Sequence, residues 1–348
     1  MTGGPVQHDA GAVAIGRNEG DRLVRCLESL RAALGGAAPI VYVDSGSADG
    51  SIERARALGA EVVELDLSAP FTAARARNAG LRALLRAQPG VAFVQFVDGD
   101  CELNAGWIPA AMDALAADER LAVACGRRRE RFPSASVYNR LCDVEWDTPV
   151  GEATACGGDA LIRVAALVAV GGYEDSMIAG EEPEMCLRLR RLGWRIRRLD
   201  AEMTLHDAAM TRLGQWWRRA VRSGHAYAEG AWRHGRGPER YDVRPVLSIL
   251  VWSLAPPLFA LALAWPTRGL SAALLLVYPI QALRTAWKCR ARAGSARLAL
   301  EYGLFMVLAK FAQAQGVLRF AVDRARGRRG RIIEYKDAPG PRAEGVAS

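Results

Sequence analysis

Two carboxylates follow a strongly apolar stretch in Gln95-Phe96-Val97-Asp98-Gly99-Asp100. Placed two residues apart on a turn eased by Gly99, Asp98 and Asp100 repel each other unless a cation lies between them. A hard divalent ion meets that need, because Mg2+ takes one or two carboxylates and completes its shell with phosphate oxygens. Such pairs also occur on turns that bind nothing, so their position has to decide. Asp44 ends another apolar stretch, in Val43-Asp44-Ser45-Gly46-Ser47. It reads as the start of an Asx turn or as an acceptor for a nucleotide base or ribose, while Asp49-Gly50-Ser51 reads as the cap of a helix starting near Ser51. Glu181, Glu182 and Glu184 surround Pro183 at the start of a charged helical pattern that runs to Leu192. Negative charge there offsets the helix dipole, whatever else it does. His206 follows a strand pattern and precedes Asp207; a packed imidazole and a metal-binding one both suit it.

The elements that must hold these groups are legible in the spacing of apolar residues. Short strands at Val13–Ile15, Ile40–Val43, Val62–Leu65 and Phe93–Val97 alternate with helical patterns such as Leu23, Leu27, Leu30 and Leu81, Leu84, Leu85. That alternation predicts βαβ units and a mostly parallel α/β sheet. Ligands of such sheets bind beyond the carboxyl ends of the strands. Here those ends carry Arg17-Asn18-Glu19, Asp44-Ser45-Gly46-Ser47 and Asp98-Gly99-Asp100. A dinucleotide-dependent dehydrogenase is excluded, because no GxGxxG follows the first strand.

Five ordered motifs carry a resemblance. They are Val13-Ala14-Ile15-Gly16-Arg17-Asn18-Glu19, the stretch from Val43 to Ser51, Ala76-Arg77-Asn78-Ala79-Gly80, Asp98-Gly99-Asp100, and Gly180-Glu181-Glu182-Pro183-Glu184-Met185-Cys186. Together, over about Val13 to Asp207, the chain resembles the family 2 glycosyltransferases. The resemblance implies a GT-A fold, a nucleotide-sugar donor, a divalent metal (Mg2+ or Mn2+) and inversion at the anomeric carbon. It assigns Asn18 and Glu19 to the nucleoside pocket, Asp44 to the base, Arg77 to the nucleotide or its phosphates, Asp98 to ribose or metal, and Asp100 to the metal, with His206 completing the metal site. Inversion needs a base for the acceptor hydroxyl; Glu182 aligns with that role and Glu181 is the alternative. Gly16-Arg17 stands where the family usually has Pro and one other residue, and Glu181-Glu182 where it usually has Glu-Asp. Gln215-Trp216-Trp217-Arg218-Arg219 matches only part of the QxxRW signature of processive polysaccharide synthases; an aromatic, basic helix against lipid headgroups is the preferred reading.

Beyond that region the composition changes. From Val246 to Trp265 about twenty residues pass without a charge, enough to cross a bilayer. A second apolar run, 269–287, is broken by Pro279, and a third, 298–320, is interrupted by Glu301, Lys310, Gln313 and Gln315. Arginines of the +8 chain crowd 284–297 and 324–331, beside these stretches, which predicts a juxtamembrane belt and not a nucleic-acid site. Arg233, Arg236, Arg240 and Arg244 precede the first run, and Arg268 alone lies between the first two. The expectation is a transmembrane hairpin with the third segment interfacial or re-entrant. Seven cysteines form no metal-type spacing, which predicts reduced thiols, and Met1 to Gly11 shows no signal peptide. The expected organisation is a GT-A domain at 11–240, membrane-associated helices at 243–323 and a basic tail at 324–348. The catalytic part is expected on the cytoplasmic side of the inner membrane. There it would pass a sugar to a lipid-linked or polysaccharide-precursor acceptor. Rival readings are a processive polysaccharide synthase and a nucleotide-sugar-binding membrane protein without transferase activity.

Overall fold

The computed structural model describes residues 9–328, 330 and 332–334. Most of the expected basic tail, with Arg329, Arg331 and 335–348, and residues 1–8 of the N-terminal stretch in which no signal peptide is legible lie outside the described residues.

The first half alternates as the apolar spacing requires: β1 Ala10–Gly16, α1 Asp21–Leu34, β2 Ile40–Asp44, α2 Ser51–Ala57, β3 Glu61–Glu64, α3 Ala73–Ala87, β4 Phe93–Asp98. Strands β1, β2 and β4 are buried on both faces, which is why they read as unbroken apolar runs. Val13 and Val43 lie under α3, where Gly80 lets the helix come close: a Cβ there would stand 2.3 Å from a methyl of Val13. The one polar side chain deep in β4, Gln95, is satisfied by the indole N–H of Trp107, which donates to it at 2.8 Å.

The chain continues through β5 Cys101–Leu103, α4 Trp107–Ala117, β6 Leu121–Glu130, α5 Val137–Trp146, β7 Gly151–Glu152, β8 Ala160–Arg163, α6 Val164–Ala169, α7 Glu181–Arg191, β9 Arg195–His206 and α8 Leu213–His234. The nine strands among the described residues form one mixed sheet in the order β3-β2-β1-β4-β8-β6-β9-β5, with β7 on β9. The pairs β1–β2, β1–β4 and β2–β3 are parallel, and β8 runs antiparallel to both β4 and β6. Register brings Gly16 beside Asp44 and Ile15 beside Asp98, so the three polar strand ends meet at one edge. Cys101 pairs with His206, which sets Asp100 next to that histidine.

Three further helices follow: α9 Val243–Ala262, α10 Val277–Ala293, entered through a 3-10 run at Leu270–Leu276, and α11 Ala296–Ala325. Each span, with the 3-10 run counted into the second, is long and apolar enough to cross a membrane. Pro256 and Pro257 lie inside α9, and Trp265 at the turn is 93% exposed. Helix α11 packs along the sheet domain: Ala299 and Tyr302 cluster with Leu141 and Val144 of α5, and Ala312 with Ala220 and Val221 of α8. Glycines permit this. A Cβ on Gly316 would stand 2.0 Å from the Val221 carbonyl oxygen, and one on Gly303 would stand 2.2 Å from that of Ala282 in α10. Glu301 is turned to protein, accepting from Arg297 at 2.9 Å and Arg140 at 3.4 Å. The aromatic pair expected against headgroups is used here too: Trp216 stacks edge-on with Phe305, centroids 4.9 Å apart, and Trp217 donates to Gln315.

Candidate functional site

A cleft of about 680 Å³ opens over the carboxyl ends of β1 and β4, between the start of α7 and one face of α8. Backbone bonds gather its floor: Ser45 N–H donates to the Gly16 carbonyl and Gly99 N–H to that of Ile15. Asn18 occupies the left-handed region at φ 55°, which Asn tolerates better than most residues. Its amide oxygen accepts from Ala48 N–H and its own N–H donates to Ser47 Oγ, both at 2.8 Å. Asn18 thus splices the first loop to the second. Glu19 lines the cleft and pairs with Arg22 at 2.8 Å.

Asp44 is 2% exposed and its carboxylate is well supplied by its own neighbourhood. Tyr42 and Ser47 hydroxyls donate to Oδ1, and the Gly46 and Ser47 amides donate to Oδ2. It therefore forms the Asx turn that the sequence allowed, and Ser45 is the residue of this loop that reaches the cleft.

Arg77, buried on α3, joins two motifs that lie far apart in sequence. Its guanidinium donates to Asp98 at 2.8 Å and to Glu181 at 2.7 Å. Burial works against its charge, but the two carboxylates outweigh that and raise its pKa. Glu181 is thereby committed to an ion pair. Glu182, next to it in the first turn of α7 and also facing the cleft, is held by neutral donors; its Oε1 accepts the Cys156 N–H at 2.5 Å and the Cys186 thiol at 3.4 Å. The helix start, made possible by Gly180 at φ 80°, aims the two acids differently.

Asp100 and His206 stand together as the strand pairing demands, Nε2 3.3 Å from Oδ2. Burial, helped by the guanidinium of Arg128, pushes His206 down to about 4, so the imidazole is neutral at physiological pH. Its Nδ1 is buried without a hydrogen-bond partner among the described residues, and its ring meets Trp146 edge-on at 4.7 Å. Ligand atoms of Asp100, Cys101 and His206 lie within 4.8 Å of one another. Burial raises the Cys101 pKa and a sulfur donor suits a hard ion poorly, which leaves a carboxylate oxygen and a neutral imidazole nitrogen as the donors. That donor set fits Mg2+ or Mn2+.

One pair of residues at the site escaped sequence reasoning. Asp159, fully buried, accepts from Asp98 N–H at 3.1 Å, from Thr204 at 2.8 Å and from Arg128 at 2.8 Å, and so steadies the strand end that bears Asp98. Its signal was the Gly157-Gly158 before it: a Cβ at Gly158 would sit 2.8 Å from Asp98 Oδ2 and 3.1 Å from Arg77 Nη2. Arg219, Arg222 and Tyr227 of α8 line the far wall, and Ile332 and Glu334 reach the rim, where Glu334 pairs with Arg17 at 2.6 Å.

Residues 13–149 match the family model described as glycosyl transferase family 2. The pre-mycofactocin glycosyltransferase of Mycobacterium tuberculosis, from strains CDC 1551 / Oshkosh and ATCC 25618 / H37Rv, is 28% identical over 245 residues. That match takes in 66% of this chain and 49% of the relative, so the chain spans about half the length of the curated relatives it matches. Among solved structures, a mannosyltransferase from Pyrobaculum calidifontis in complex with GDP-Man and Mn2+ superposes with a TM-score of 0.59, over 89% of this chain and 87% of that one, at 20% identity. Over residues 13–149 the chain is thus similar to the family 2 glycosyltransferases, and its fold is GT-A.

Proposed function

We propose that this protein is an inverting, divalent-cation-dependent glycosyltransferase. It would move a sugar from a nucleoside-diphosphate sugar to a lipid-linked or polysaccharide-precursor acceptor at the cytoplasmic face of the inner membrane. The observation that carries the reading is the division of labour around Arg77: it engages Asp98 and Glu181 and leaves Glu182 facing the same cleft. The GDP-Man and Mn2+ of the Pyrobaculum structure make a nucleotide sugar with Mn2+ the first donor and ion to try.

In this reading Asn18 and Glu19 shape the nucleoside pocket, and Asp44 holds the loop that faces the base. Asp98, Asp100 and His206 would hold the ion, which would supply positive charge for the leaving diphosphate. Arg77 keeps Asp98 in place and contributes positive charge beside the phosphates. Glu182 accepts the proton of the acceptor hydroxyl while that oxygen attacks from the face opposite the diphosphate. The three apolar helices keep the cleft near a membrane. Packing of α11 on α5 and α8 supports a hairpin of α9 and α10 with α11 lying along the domain.

Calorimetric titration of the purified protein with a panel of nucleotide sugars, in Mn2+ and in EDTA, tests the donor site. The wild type is expected to bind one donor only with the ion, and Asp100→Ala to lose that ion-assisted gain while keeping its fold. Equal affinity with and without EDTA contradicts the ion's role.

A further inference from the structure

Two thiols converge on the carboxylate assigned as base. Cys156 lies in the loop between β7 and β8, and Cys186 sits one helical turn after Glu182 on α7. The two sulfurs are 3.7 Å apart, Cys186 Sγ is 3.4 Å from Glu182 Oε1, and all three ligand atoms lie within 4.8 Å of one another. Two thiolates on a tetrahedral zinc, each at ~2.3 Å, stand roughly 3.8 Å apart, and a thiolate and a carboxylate oxygen on one ion roughly 3.5 Å apart. The sulfur–sulfur edge and the Cys186–Glu182 edge already have nearly those lengths.

We propose that Cys156, Cys186 and Glu182 form a binding site for a thiophilic divalent cation such as Zn2+, distinct from the oxygen-and-imidazole set at Asp100 and His206, and that its occupancy withdraws Glu182 from proton transfer. The second clause rests on Glu182 being the base. Binding replaces two thiol protons, which leave to solvent, with bonds from two thiolates and one carboxylate oxygen to the dication. A fourth position stays open to water. Without an ion the thiols are held protonated. For Cys156 the hydrogen bond with Cys186 is the largest cause and burial the next; for Cys186 burial leads. Sulfur ligands select against Mg2+ and Mn2+, so the two sites discriminate by softness. Glu182 lines the cleft and Cys156 is only half-buried, so two of the three ligands are accessible to an incoming ion.

The test titrates the reduced, full-length protein with Co2+ in excess Mg2+, followed by Zn2+. Expected are a thiolate-to-cobalt charge-transfer band and the visible bands of a tetrahedral ion, saturating at one ion per chain. Zn2+ should bleach them, with two protons released per ion when Zn2+ is added to the empty protein. Cys156→Ser and Cys186→Ala should each abolish the thiolate band or weaken Zn2+ binding by at least the roughly 100-fold that outer-sphere changes can cost. Asp100→Ala should keep the band. No thiolate band in the wild type, or bands and Zn2+ affinity that both survive each cysteine substitution unchanged, overturns the site. Zn2+ is also expected to stop sugar transfer, reversibly on chelation; transfer that continues with the site filled overturns the inhibitory clause alone. If Glu182→Gln transfers normally, the base assignment fails, and the cobalt spectrum still judges the site.

Discussion

With its guanidinium hydrogen-bonded to Asp98 and Glu181 at 2.8 and 2.7 Å, Arg77 turns two separated acidic motifs into one wall of the cleft. A forked, always-charged group suits this, and a lysine would hold one carboxylate but not both. Removing it strands two carboxylates. Breaking a buried ion pair costs about 3–5 kcal/mol, and the lower figure applies here because Asp98 is 31% exposed. Chemical unfolding of detergent-solubilised Arg77→Ala is expected to show that loss, with Arg77→Lys intermediate. A variant as stable as the wild type means the wall does not depend on the bridge. Asp98, Asp100 and Glu182 were legible because each sits at a strand end or helix start, where spacing alone locates it. Arg128 and Asp159 were not, because their meeting depends on β6 and β8 pairing, which no local pattern encodes.

At the scale of elements, the seam between α8 and α11 joins the sheet domain to the apolar helices. His225 lies in it, buried, its ring edge-on to Phe320 at 5.3 Å, and burial pushes its pKa down to about 4, with Arg319 adding to the shift. Because the folded value is below the unfolded value of about 6.5, the unfolded chain binds the extra proton between those limits. The contribution of His225 to stability is therefore intact above pH 6.5 and declines as pH falls toward about 4. In thermal unfolding, His225→Gln is expected to lose less stability than the wild type between pH 6.5 and 4; parallel curves mean that the histidine is not held neutral. The first four strands and the helix at Glu181 were readable because their apolar periods are strong. The seam was not: the aromatic and basic face of α8 looks the same whether it meets headgroups or, as here, Phe305 and Gln315 of another helix.

For the whole molecule, the question is where a bilayer meets these helices. Helix α11 touches the sheet domain from Ala299 to Ala312, so crossing the membrane would carry α5 and α8 with it or break those clusters. Exposed leucines occur on all three helices, so it is these clusters with α5 and α8 that set α11 apart from α9 and α10. A single reporter cysteine at Arg268, between them, is expected to be labelled from the far side of sealed, oriented vesicles, and one at Ser295 only from the side of the catalytic domain. Labelling of both from the same side rules out the hairpin. In the proposed reaction Glu182 takes a proton as the sugar is transferred. The most direct test measures single-turnover transfer from the donor found by calorimetry, with Mn2+ present, for wild type, Glu182→Gln and Glu181→Gln. The account predicts that Glu182→Gln binds donor normally and transfers at least about 10²-fold more slowly, the usual contribution of general-base catalysis. Near-normal transfer by Glu182→Gln, with the loss in Glu181→Gln instead, would contradict it.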